Sequence, residues 1–366
     1  MALLYNLYSN LLERAILLLN IVILFIYIVT TTNMGNKVSI MTTAKYSPSI
    51  WVISDGTKGM EVQSLGLAES LSKHVQLIRV HPGKLIRAFP RLARIGACPM
   101  PAELKAAINE HGMPDIVITT GRRHAPLSML MRRYGKGKIK TIHIQDPRMP
   151  ATWFDWLVVP THDPLRGDNV LVSLGSLNRM VTLMQENPPL PSAVTEMEGR
   201  KIVVLIGGSN RRYQVHDQDY ASFGQTLADV AAMTQASLIL IPSRRSLATV
   251  SQAMAPALSE TNHWYWDGKM PNPYPWILNA ADAIIVTADS VNMTSEAACT
   301  GKPVYVAELK PESGRVALFH KTLQEGGYTE SINQLSFYHF FLHNDKRLDE
   351  TTRIAGILSE KLGLGA

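Results

Sequence analysis

Short hydrophobic runs recur along this chain, and most are followed by a polar loop and then by a segment with helical spacing. The first run is SIWVIS at 49–54. Leu65, Leu67, Ala68 and Leu71 then stripe one face of a helix predicted over 61–72. Further strands are predicted at 75–80, 115–119, 141–145, 156–159 and 169–172, with helices at 102–109, 126–133 and near 177–185. Residues 187–200 (NPPLPSAVTEMEGR) replace the pattern with prolines and polar residues and read as a linker. A second block starts with KIVVLI at 201–206. It predicts strands at 237–241, 263–266, 283–286 and 304–306 and helices at 220–233, 246–255, 275–280, 291–300 and 315–325, with a tail helix at 350–362. Alternating β and α units predict an α/β fold with parallel sheets wound on both sides. Two blocks and a linker give two facing Rossmann-like domains: an acceptor domain at 46–190 and a nucleotide-binding domain at 198–335, with a tail over 336–366. Ligands of such sheets bind beyond the carboxyl ends of the strands.

Two stretches depart from the pattern. Residues 15–32 (AILLLNIVILFIYIVTTT) are apolar but sit at the lower length limit for a spanning helix. Arg14 precedes them, Lys37 and Lys45 follow, and no small-residue cleavage site is evident. Residues 1–45 thus read as a membrane anchor, an uncleaved signal-like segment, or the product of an early start ahead of Met34 or Met41. The anchor reading expects the main domain on the cytoplasmic face of the inner membrane; the early-start reading expects it in the cytoplasm. Residues 82–101 set Lys84, Arg87, Arg91 and Arg94 among Leu85, Ile86, Phe89 and Leu92. Such a segment either lies on a membrane or over an acceptor cleft, or packs as an insertion with solvated basic ends.

Composition narrows the classes. Of the 366 residues, 46% are hydrophobic and 18% charged, as in a globular protein. The net charge of +6 suits an anionic partner, but no basic run interleaved with aromatics points to nucleic acid. Cys98 and Cys299 form no CxxC pair, and the eleven histidines show no HExxH, so no metal site is expected.

Polar clusters fall at predicted strand ends. Asp55 and Glu61, in DGTKGME, are candidate general bases; alternatively Asp55 caps a turn and Glu61 favours a helix start. Arg122 and Arg123 precede Pro126 at a helix start, where they could clamp phosphate. Asp146 and His162 follow two further strands and are candidates for acceptor or phosphate contacts, or for the base. In the second block Gly207, Gly208 and Ser209 can line a phosphate with backbone N–H groups, and Arg244 could neutralise a diphosphate. There is no full GxGxxG, which argues against NAD. Ser290 opens the 291–300 helix, whose N-terminus is a ready anion site, and Glu296 sits one turn beyond Asn292, where its carboxylate can accept a ribose diol. Asp217 and Asp219 form a DxD but are read as helix caps.

In order, the motifs DGxxGxExQxLGLAExL (55–71), TTGRRHAP (119–126), IQDPR (144–148), GGSNRRY (207–213), SRR (243–245), NPY (272–274) and TADSVNMTSEA (287–297) resemble the mitochondrial fission "elongated mitochondria" family. That family is similar in turn to GT-B glycosyltransferases, in which a matching SxxEAxxxGKP-like helix holds a nucleotide sugar with its Glu on the ribose. The resemblance implies that role for Glu296. Together these readings describe a metal-independent transferase without a cofactor that uses a nucleoside-diphosphate sugar on a membrane or lipid-linked acceptor, with no nucleic-acid partner. The competing classes are a non-catalytic GT-B-shaped scaffold and a sugar-nucleotide epimerase.

Overall fold

The computed structural model describes residues 47–364 except 96, 187, 211, 212, 244, 335–339 and 343–345. The expected N-terminal apolar helix, and with it the anchor, lies outside the described residues. Among those described, no helix is long and apolar enough to cross a membrane.

Two six-stranded sheets organise residues 47–364, and every strand pair in them is parallel. The first lobe holds β1 (Ser49–Ser54), β2 (His74–Arg79), β3 (Ile116–Thr120), β4 (Lys140–Ile144), β5 (Trp156–Pro160) and β6 (Val170–Ser173), in the order β2-β1-β3-β4-β5-β6. The second holds β7 (Lys201–Ile206), β8 (Ser237–Pro242), β9 (His263–Tyr265), β10 (Ala283–Thr287), β11 (Val304–Ala307) and β12 (Glu330–Ser331), in the order β12-β11-β10-β7-β8-β9. Winding therefore reverses between β1 and β3 in one lobe and between β7 and β10 in the other. Ligand crevices open at such switch points.

The continuous apolar strands are explained by helices on both sheet faces. In β7, Ile202, Val204 and Ile206 enter one core while Val203 and Leu205 enter the opposite one. In β1, Trp51 and Ile53 divide from Ile50 and Val52 in the same way. The basic 82–101 stretch resolves into two short helices, Lys84–Ala88 and Leu92–Ile95. Ile86 and Ala93 bury against the first-lobe core, so the stretch is a packed insertion, although Phe89 and Ile95 stay more than half exposed.

The tail helix Glu350–Leu362 returns to the first lobe. Ile354, Ala355 and Leu358 join Ile50, Val52 and Leu67 in one core. Asp349 caps it by accepting the Thr352 N–H, and Gly363 ends it in the left-handed conformation. The buried Glu350 accepts the Leu174 N–H at 2.8 Å and pairs with both ends of the Arg353 guanidinium.

Candidate functional site

The crevice between the lobes encloses about 430 Å³. Gln63, Arg122, Asp146 and His162 line it from the first lobe, and Asn292 and Arg315 from the second. Arg122, Asp146 and His162, predicted separately at three strand ends, thus share one cavity. Asp55 and Arg123 line a neighbouring cavity of about 750 Å³ in the first lobe, with Arg122, Gln145 and Arg148 common to both.

Three polar contacts join the lobes here. Arg315, at the start of helix Gly314–Glu325, pairs with the buried Asp163 carboxylate. Gln63 Nε2 donates to Asn292 Oδ1 at 3.2 Å, and Ser176 N donates to Ser295 Oγ at 2.9 Å. Gln145 Nε2 in turn donates to Gln63 Oε1 at 3.4 Å, so three amides run across the crevice. Sequence reasoning passed over Gln63, Gln145 and Arg315 as site residues. Amides and a helix-start arginine carry no motif of their own; only the meeting of the lobes gives them a site.

His162 is half-buried, and its buried Nδ1 has no hydrogen-bond partner among the described residues. Burial lowers its pKa; Asp163 raises it and Arg315 lowers it further. The imidazole is therefore neutral at pH 7 and able to accept a proton. Asp146 closes its own loop: its carboxylate accepts the Arg148 N–H at 2.7 Å and pairs with Arg148 Nε at 3.1 Å. Gln145 and Arg148 adopt positive φ, 75° and 57°, at this corner. Non-glycine residues rarely do so, and such strain gathers at functional corners.

Glu61, one of the two candidate bases in DGTKGME, is paired elsewhere. It is buried and accepts from Arg79 Nε at 2.9 Å and Arg79 Nη2 at 3.3 Å. The Arg79 hydrogen bond holds its carboxyl below the usual range despite burial. It lines neither cavity, and its pairing with Arg79 ties helix Lys58–Leu71 to the sheet edge. Asp55 is a turn cap, as the alternative reading had it. Its Oδ1 accepts the Thr57 N–H and hydroxyl, while His124 Nε2 lies 3.8 Å and Arg123 4.0 Å from Oδ2. Burial pushes its carboxyl up, but these partners prevail and the net shift is downward.

In the second lobe the glycine loop is closed from within. Gly207 N donates to Thr287 Oγ1 at 2.7 Å, and Gly208 N donates to Asp289 Oδ2 at 3.1 Å. These N–H groups, predicted to line a phosphate, are thus occupied. Asp289 is the hub: it also accepts the Thr287 hydroxyl at 2.7 Å and pairs with Arg245 at 3.0 Å, tying together the loops after β7, β8 and β10. Burial pushes its carboxyl up, against the pull of Thr287, Arg245 and the Gly208 N–H. Asp289 was missed because an acid between Ala288 and Ser290 reads as an ordinary loop residue. Ser209 serves its own loop, exchanging hydrogen bonds with Val215. Arg244 lies outside the described residues.

Ser290 caps helix Val291–Cys299 by accepting the Met293 N–H. Glu296, in the second turn, is buried and accepts the Tyr274 hydroxyl. Burial raises its carboxyl to about 7, with Tyr274 pulling down. Neither cavity described above includes Glu296 in its walls. The Asp217–Asp219 pair caps a helix: Asp219 accepts the His216 N–H at 2.8 Å. Among the described residues no His, Cys, Asp and Glu cluster could hold a metal.

Two Rossmann-like lobes with switch points around one crevice define the GT-B-like class of folds. The particular branch follows from comparison: residues 58–362 match the family described as Mitochondrial fission ELM1, and the chain belongs to that family. It is 30% identical over 266 residues to Mitochondrial fission protein ELM1 of Arabidopsis thaliana, covering 63% of this chain and 61% of that protein's length. An uncharacterized protein of Rickettsia prowazekii is 26% identical over 351 residues, with 85% of this chain and 97% of that one covered. Among solved structures, the UDP-GlcNAc 2-epimerase of Methanocaldococcus jannaschii superposes with a TM-score of 0.54 at 13% identity, over 85% of this chain and 99% of that one. That likeness is one of fold.

Proposed function

We propose that this protein binds a nucleoside-diphosphate sugar between its lobes and transfers the sugar to an acceptor held by the first lobe, without a metal. The carrying observation is the shared crevice, where His162 faces Asn292 and Arg315 across about 430 Å³. In this reading the diphosphate lies at the N-terminus of helix Val291–Cys299, whose dipole favours an anion, with Arg315 as counter-charge. Glu296 lies behind that helix end, outside the crevice wall and holding the Tyr274 hydroxyl, so in this reading it meets the ribose diol only by giving up that contact. His162, neutral and in the crevice wall, is the base that takes the acceptor proton. Arg315 and the helix dipole stabilise the departing diphosphate in place of a metal. The fold neighbour's name carries a UDP-sugar, which agrees with the donor class.

A second reading, a GT-B-shaped scaffold that does not turn over, is favoured by one observation: Thr287 and Asp289 already consume the glycine-loop N–H groups. Calorimetric titration with UDP, GDP and CMP, followed by assay of the corresponding sugar nucleotides for release of the nucleotide, separates the two. The transferase reading expects one nucleotide to bind, Glu296→Gln to weaken it about tenfold, and His162→Ala to abolish turnover while leaving binding intact. Binding without turnover of any sugar nucleotide supports the scaffold, and absence of all binding overturns the donor site.

A further inference from the structure

The first-lobe cavity is the larger of the two, at about 750 Å³, and the nucleotide reading does not use it. It opens at the β1/β3 switch point and shares Arg122, Gln145 and Arg148 with the interlobe crevice. Three arginines and a single carboxylate, Asp55, line it. Asp55 is already spent on Thr57 and the flanking Arg123 and His124. Arg148 is held at the mouth by Asp146 on a left-handed backbone. Arg122 is exposed and makes no ion pair among the described residues, so its charge is unspent. Thr57 and Gln145 add two neutral polar groups, and Met60, Ile86, Pro90 and Met149 give the wall its apolar part. Phe89, beside Pro90, is 60% exposed, and Ile95 in the same insertion is 62% exposed.

This lining discriminates among ligand classes. A sugar wants amides and carboxylates around its hydroxyls, and Gln145 is the only amide in the wall. A nucleobase wants an aromatic face, and no aromatic residue lines the cavity. Free phosphate would gain nothing from the methionines. Guanidinium groups grip phosphate oxygens in pairs, and an alkyl chain needs an apolar wall that continues outward.

We infer that this cavity binds a phosphorylated amphiphile, with its phosphate on Arg122 and Arg148 and its apolar chain along Met60, Ile86 and Met149 towards the insertion that carries Phe89. Its role as the acceptor, phosphate turned towards the crevice, rests on the transferase reading; the binding itself does not. The test titrates the full chain in parallel with octyl phosphate, octyl glucoside, inorganic phosphate and UDP. Octyl phosphate is expected to bind at least about tenfold tighter than octyl glucoside or inorganic phosphate. Arg122→Ala and Met149→Glu are each expected to weaken it about tenfold, the first by removing the charge and the second by placing an anion in the chain's path. Octyl glucoside binding equally well would show that the phosphate is not read. Inorganic phosphate binding equally well would show that the chain is not read. Unchanged binding in both variants would put the ligand elsewhere, and any of these three results overturns the inference. Phosphatidylcholine vesicles doped with phosphatidic acid identify the source: sedimentation that Arg122→Ala reduces assigns a membrane-held ligand, and binding of octyl phosphate alone a soluble one. Sedimentation as the only binding seen, and unaffected by Arg122→Ala, also overturns it. Octyl phosphate binding without UDP binding leaves this site standing and removes the donor site; the converse removes this one alone.

Discussion

Each lobe carries a buried glutamate on a helix beside its switch point, and the two have opposite fates. Glu61 meets Arg79 at the edge of the first sheet and is held as an anion. Among the described residues Glu296 meets a phenol, Tyr274, and no cation, and burial drives its carboxyl up to about 7. The loops before them differ in the same sense. The first lobe leaves Arg122 and Arg123 exposed, whereas the second folds Asp289 inward onto its own glycines. The first lobe therefore offers charge on side chains that can reach a ligand. The second offers a prebuilt backbone frame, beside which helix Val291–Cys299 begins under its Ser290 cap. A buried acid is evidence of a ligand site only where no cation has already claimed it.

The strongest way to break this contrast is through the glycines that permit it. A Cβ on Gly207 would lie 1.8 Å from Asp289 Oδ1, and one on Gly66 would lie 2.1 Å from the Asn178 carbonyl oxygen. Neither overlap has an outlet: Asp289 is held by three loops, and Asn178 O is backbone. Gly207→Ala and Gly66→Ala are each expected to cost about 2–4 kcal/mol of stability in urea denaturation, because overpacking against fixed atoms must move backbone. If Gly207→Ala costs less than Gly66→Ala by most of that amount, the Asp289 frame is softer than the contacts imply.

The glutamates themselves give opposite pH signs. Glu61 has a lowered carboxyl, so its stabilising contribution is present above the unfolded pKa and is lost as pH falls through the folded one. Glu296 is raised from 4.5 to about 7, so the folded state holds the extra proton and stability falls as pH rises between those values. Glu296→Gln keeps an acceptor for Tyr274 but removes the proton. Relative to wild type, it should gain about 2–3 kcal/mol between pH 4.5 and 8 in denaturation midpoints converted to free energy. Glu61→Gln should change little relative to wild type over that rise; its opposite sign appears below pH 4.5, where wild type loses the contribution that the variant lacks. Slopes of the same sign in both variants would dissolve the comparison between the lobes.

Most of the architecture was legible because apolar strands flanked by glycine-bearing loops leave few alternatives to parallel, doubly covered sheets. That Arg122, Asp146 and His162 share one crevice follows from the same reasoning, since strand ends in such sheets converge. Partners distant in sequence were not legible. Nothing in the Glu61 motif announces Arg79, and nothing in the Glu296 motif announces Tyr274, although those partners decide which acid is spoken for. The glycine pair misled in a particular way. Its backbone N–H groups suggested a phosphate cradle, yet they already donate to Thr287 and Asp289. The tail helix was legible as a helix, but its sequence does not say which lobe will cover Ile354 and Leu358.

The smallest effect probes the seam between the lobes. Gly59, in the first turn of helix Lys58–Leu71, has the Asn292 side-chain nitrogen 2.6 Å from where a Cβ would stand. Here the obstacle is the movable end of a side chain, unlike the fixed groups at Gly207 and Gly66. Gly59→Ala should turn Asn292 aside and break its 3.2 Å hydrogen bond from Gln63, at a cost of about 1 kcal/mol. The same change raises helix propensity by up to about 1 kcal/mol. The two terms offset, so the denaturation midpoint should move little. The seam should still respond: the radius of gyration from small-angle scattering is expected to rise slightly if the amide contact helps hold the crevice closed. A variant that is destabilised as much as Gly66→Ala would mean that Asn292 is as rigid as backbone and that the lobes behave as one body. A variant with unchanged scattering would leave the closure to Arg315 and Asp163.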